Sequence, residues 1–140
     1  MILHCNYEEL TALRSGADTV LRGDGSGPCA VAAPSRVRER VEFLLPALEG
    51  DLSLSTLAEQ EACEDAIRTI LSWLHAEMDT AVVSTHPAAE SAVAAYFDYA
   101  HVRAVLGRLE EMGVHMRALI EVVTGAPVDE QAALTFAFPD

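Results

Sequence analysis

The chain contains no lysine: its nine basic residues are all arginine, set against 22 acidic ones. Without a lysine amine there is no Schiff-base chemistry and no phosphate-gripping lysine of a Walker loop. The same bias, beside abundant alanine, valine and leucine, fits the codon usage of a GC-rich bacterial genome. A formal net charge of −13 argues against direct contact with nucleic acid, whose phosphates require a positive surface. The one basic cluster, Arg36, Arg38 and Arg40, stands beside Glu39 and Glu42 and reads as a solvated helix face. An acidic surface serves solubility, and it would suit a basic partner or a cation.

Cysteine is scarce as well. Cys5, Cys29 and Cys63 form no Cys-x-x-Cys pair, and no basic start with an apolar core precedes them, so a reduced cytoplasm is the expected setting. His4, Cys5 and Cys29 are zinc-ligand types, but their spacing matches no common zinc pattern and a fourth ligand is not evident. No apolar run reaches the ~18 residues of a membrane span, so no membrane association is expected. The glycines of Gly23-Asp24-Gly25-Ser26-Gly27-Pro28 fit neither a dinucleotide fingerprint nor a Walker loop, and the stretch 23–33 reads as a flexible loop. Gly-x-Ser-x-Gly is absent too, and no cysteine has a histidine and carboxylate arranged beside it in sequence.

What is present is apolar periodicity. The 140 residues, 51% hydrophobic, suit one domain spanning 1–140. After the apolar Met1 to Cys5, Asn6 can cap a helix over 7–22 with Leu10, Leu13, Ala17, Val20 and Leu21 on one stripe. A short strand is expected at Cys29 to Ala32. Ser35 can cap a second helix whose inner side carries Val37, Val41, Leu44, Leu45 and Leu48, ended or kinked by Pro46. Asp51 to Ser55 alternates as a half-buried strand does.

Thr56 and Glu59 form a capping box. The helix it opens has Cys63, Ile67, Ile70, Leu71, Leu74, Met78, Ala81 and Val82 on one face and Glu61, Glu64, Asp65, Arg68, Ser72, His75 and Asp79 on the other. Trp73 lies off that stripe among Ala62, Ala66, Thr69 and Thr80, which implies a second contact surface. From Pro87 the periodicity resumes and continues to Gly125, with Ala94, Ala95, Val102, Val105, Leu109, Met112, Met116, Leu119, Ile120 and Val123 sharing a face. Gly107 and Gly113 could bend or break this segment. The tail, Ala133 to Phe138, alternates again: either it and Met1 to Cys5 are strands that pair with 52–55 in a small sheet, or it is an arm over 126–140 whose Phe136 and Phe138 dock on a neighbour. The expected fold is α+β and predominantly α-helical, a long antiparallel helical hairpin over 56–125 packed with two shorter helices and a few short strands.

Asp98 is the anomaly, because its direction falls among Ala94, Ala95, Val102, Val105 and Leu109. An ionised carboxylate there needs a partner or must become neutral. The structural expectation is an Asp98 satisfied by His101, by Tyr96 or Tyr99, or by an arginine. The competing one is a metal site, since Asp-x-x-His resembles half of the carboxylate and histidine sets of helical bundles, with Asp98 and His101 as ligands and Glu77 from the facing helix. His86, Glu90, His101, Glu111 and His115 share a polar edge; His86 with Glu90 and Glu111 with His115 are i,i+4 pairs that read as exposed ion pairs, with divalent-metal ligation as the alternative.

The resulting expectation is a small acidic cytoplasmic protein, a homodimeric interaction or regulatory module without a cofactor, contacting itself or another protein through Trp73, Phe136 and Phe138. A divalent-metal bundle protein or enzyme at Asp98 and His101 is the alternative. A pocket for an apolar small molecule between the long helices, anchored on Asp98, is a further one.

Overall fold

The computed structural model describes residues 1–23, 32–84, 90–125 and 137–138. In chain order they form β1 (Ile2–Leu3), α1 (Tyr7–Arg22), α2 (Ser35–Glu42), a 3-10 turn (Leu45–Glu49), β2 (Leu52–Ser53), α3 (Leu57–Ser84) and α4 (Glu90–Thr124). The described part is thus mostly helical, with one small sheet in which β1 and β2 pair antiparallel, Ile2 opposite Ser53 and Leu3 opposite Leu52.

Local chemistry explains where the elements start and stop. The Asn6 side chain accepts the Glu9 N–H at 2.8 Å while the Glu9 carboxylate accepts the Asn6 N–H at 3.0 Å, a closed capping box. Gly23 ends α1 at φ 68°, ψ 36°, a left-handed position that glycine takes without a Cβ penalty. At α3 the box is asymmetric: Thr56 accepts the Glu59 N–H at 3.1 Å, but the Glu59 carboxylate reaches past Thr56 to the Ser55 N–H at 2.8 Å. Ser35 is the first residue of α2 and caps nothing, the capping position being held by Pro34. Pro46 sits within the 3-10 turn that follows. Neither Gly107 nor Gly113 breaks α4, which runs as one helix of 35 residues.

The core is a groove between α3 and α4 filled by α1. Ile67, Ile70 and Leu74 of α3, Val102, Val105 and Leu109 of α4, and Leu13, Ala17 and Val20 of α1 are all buried, with Val41, Leu44 and Leu48 closing one side and Leu3 and Leu52 one end. Each of the valine, leucine and isoleucine side chains contributes about 1.5–3 kcal/mol when fully buried. A smaller cluster next to the sheet, with Met1 and Met112 packed on it, joins Leu57, Met116, Ile120 and Phe138. The pairs Glu61 with Arg117, Arg68 with Glu110 and His75 with Tyr99 climb α3 while descending α4, so the two long helices run antiparallel.

Two glycines set how closely the helices approach. A Cβ on Gly16 would overlap the Ile70 side chain, and one on Gly113 would stand 2.6 Å from the Gln60 amide nitrogen. The strand expected at Cys29 to Ala32 lies almost wholly outside the described residues. Of the alternating tail, Ala137 forms a bridge with Thr56 and the Phe138 N–H donates to the Ser55 carbonyl. Filling the Gly113 slot should overpack the α3–α4 contact: we expect Gly113→Leu to lower stability by about 2 kcal/mol in urea unfolding, and an unchanged midpoint would contradict so close an approach.

Candidate functional site

Asp98 occupies the inner row of α4, one turn before Val102, yet it is half-buried where Val102, Val105 and Leu109 are fully so. Desolvation pushes its carboxyl above the ordinary carboxylate range, and the charge of His101 opposes that rise. Among the described residues no hydrogen bond reaches Asp98. Tyr99 instead meets the His75 ring edge-on at 5.6 Å, and Tyr96 meets Phe97 at 5.9 Å. Glu77 is half-buried on α3, and among the described residues no three histidine, cysteine, aspartate or glutamate side chains converge as a metal set.

The other singled-out residues are dispersed. Trp73 is half-buried and packs on the core beneath α2, beside Val37; the second contact surface around it is met by α2 of the same chain. Phe138 is only 6% exposed, enclosed by Leu57, Met116 and Ile120. Phe136, His86 and Cys29 lie outside the described residues. Glu90, Glu111 and His115 are exposed, and the His4 ring nitrogen Nδ1 lies 2.8 Å from an Asp51 carboxylate oxygen.

The strongest polar junction was not evident in sequence. Arg108 of α4 grips Glu9 with two nitrogens, at 2.7 and 2.8 Å, and donates to the His4 carbonyl at 2.9 Å. Glu9 is buried, and its carboxyl is held below the ordinary range first by the Arg108 hydrogen bonds and then by the Asn6 N–H, against the opposing effect of burial. Nearby, burial raises the Cys5 thiol, and Cys63 is pushed up to about 12, so neither is poised as a thiolate nucleophile. Asn6 was legible as a helix cap, but Glu9 was not singled out, and its partner Arg108 stands 99 residues away. A second junction floors an open groove of about 510 Å³ between α3 and α4: Gln60, 1% exposed, donates to the Leu109 carbonyl at 2.9 Å and to Glu64 at 3.1 Å.

Apolar surface left uncovered is the remaining feature. Past Leu74, Val82 and Val83 of α3 are exposed, as are Val93, Tyr96 and Phe97 near the start of α4 and Val114, Leu119, Val122 and Val123 farther along it. No family model, no curated protein and no solved structure matches the chain.

Two titrations follow with opposite signs. Glu9 is depressed below 4.5, so its contribution is complete above that pH and is lost as pH falls through its folded-state pKa. Glu9→Gln should cost about 2 kcal/mol at neutral pH and remove part of the acid sensitivity of the urea midpoint; equal acid sensitivity in both proteins would contradict the pairing. Asp98 is raised above 3.8, so folding favours its neutral form and its ionisation becomes a cost as pH rises through the folded-state pKa. Asp98→Asn should therefore raise the midpoint at neutral pH, with the gain vanishing in acid. Destabilisation at neutral pH would assign the charge a binding role.

Proposed function

We propose that the protein works as a homodimeric interaction or accessory module of the cytoplasm, recognising a second copy and, through it, other proteins. The observation that carries this reading is the apolar surface left open on the long helices: Val83 is 87% exposed, Val122 79%, Val114 67% and Tyr96 57%. Large apolar side chains scattered singly need no partner, whereas rows of them on one element mark contact surfaces. The two long helices α3 and α4 form the hairpin that presents these rows, and the net charge of −13 keeps the particle soluble while favouring basic over acidic partners.

A competing reading assigns a divalent metal to Asp98 and His101, with Glu77 from α3. Its support is narrower, an ionisable pair within one turn of a half-buried helix face. Sedimentation velocity of the purified chain, followed by elemental analysis of the same sample, separates the two. We expect a metal-free dimer at tens of micromolar. A monomer carrying stoichiometric metal that is lost on Asp98→Ala would replace the first reading with the second.

A further inference from the structure

The outer face of α4 has a sequence pattern of its own. Taking Gly107 as reference and ~100° per residue, Tyr96, Ala100, Val114 and Ala118 lie within about 20° of it and Val93 and Glu111 near 40°, with Arg103 as far to the other side. The core row of Val105, Leu109 and Met116 points the opposite way, so the helix carries two apolar rows back to back. Most of the outer row is exposed. Among the described residues nothing packs on Gly107 at its centre: a Cβ there would meet nothing within 4 Å, whereas Gly16 and Gly113 are each demanded by a packed neighbour. Glycine within a helix is unfavourable relative to alanine, so close approach by something outside the chain is the natural reason for it.

We propose that two copies pair through this face, α4 against α4 in antiparallel, about a two-fold axis at Gly107. The inference rests on the dimeric reading above and names its surface. An axis at Gly107 makes residues equally far before and after it face one another. Arg103 then meets Glu111 of the partner subunit, and by symmetry the contact occurs twice. Both side chains are exposed, and among the described residues neither has an ion pair within its own chain. Ala100 meets Val114 of the partner subunit, which fills a shallow hollow of about 430 Å³ flanked by Tyr96, Arg103 and Ala104. Ala118 leaves room for the aromatic ring of Tyr96. Nowhere along the row does like charge face like charge, whereas a parallel pairing would set Arg103 against Arg103 and Glu111 against Glu111. Small residues at the axis permit the 8–10 Å interaxial spacing of packed helices.

Sedimentation equilibrium of the full chain tests this with Arg103→Glu, Glu111→Arg, the double exchange and Gly107→Leu. All three positions are exposed, and circular dichroism with urea unfolding checks that each variant keeps its fold. We expect each single charge reversal to weaken dimerisation at least about tenfold through like-charge contact, the double exchange to restore it to within a few-fold of wild type, and Gly107→Leu to abolish it. A wild-type dimer indifferent to these changes, or a double exchange that fails to recover, would overturn the surface while leaving the dimer standing. A monomeric wild type would remove the dimeric reading itself.

Discussion

The amide of Gln60 sets the register on which the rest of the molecule depends. It is buried between two helices, 1% exposed, where an unmet amide is costly. Its nitrogen reaches the Leu109 carbonyl of α4 at 2.9 Å and Glu64 of its own helix at 3.1 Å, in a slot open only because residue 113 has no side chain. Sliding α4 by one turn, ~5.4 Å, would replace the glycine slot with a larger side chain and strand the amide. Held in this register, α3 and α4 align Glu61 with Arg117 and Arg68 with Glu110. They also leave a groove into which α1 fits, with Gly16 pressed on Ile70 and Leu74. The Glu9 and Arg108 junction locks that third helix in place and ties β1 to α4 through the His4 carbonyl.

The same register decides what stays uncovered. At ~1.5 Å per residue, α4 with its 35 residues is more than twice as long as α1 with its 16, and α1 lies on one side of it only. The inner row is satisfied by Ile67, Ile70 and Leu74, and most of the outer row is exposed among the described residues. Asp98 marks the boundary: it continues the inner row at the point where the core thins out, its carboxyl is half-buried and driven toward neutrality, and among the described residues no hydrogen bond reaches it.

Much of the helical layout was legible from local chemistry. The Asn6 cap, the Thr56 box and the 3.6-residue rows are short-range signals, and helices form where they predict. Long-range pairings were illegible for the same reason: a glutamate in a capping box looks complete, and nothing within α1 announces that Glu9 also belongs to Arg108. Gly113 suggested a break because glycine weakens an isolated helix, yet packing against Gln60 overrides propensity. Trp73 was rightly seen as off the stripe, but one sequence does not tell whether a second surface is met by the same chain or another, and α2 lies over it. The outer row of α4 was passed over because alanine and glycine contribute little to apolar periodicity, and its regularity stands out only once the inner row is known.

A distance ruler along α4 gives the most direct measurement. Nitroxide labels placed singly at positions from 100 to 118, on the flank of the outer face, report the separation of equivalent residues in the two copies by pulsed electron resonance. Antiparallel pairing about Gly107 requires a minimum beside that residue, with separations growing by about 3 Å for each residue in either direction, twice the helical rise. A near-constant separation along the helix, a minimum elsewhere, or no dipolar signal between copies would contradict it.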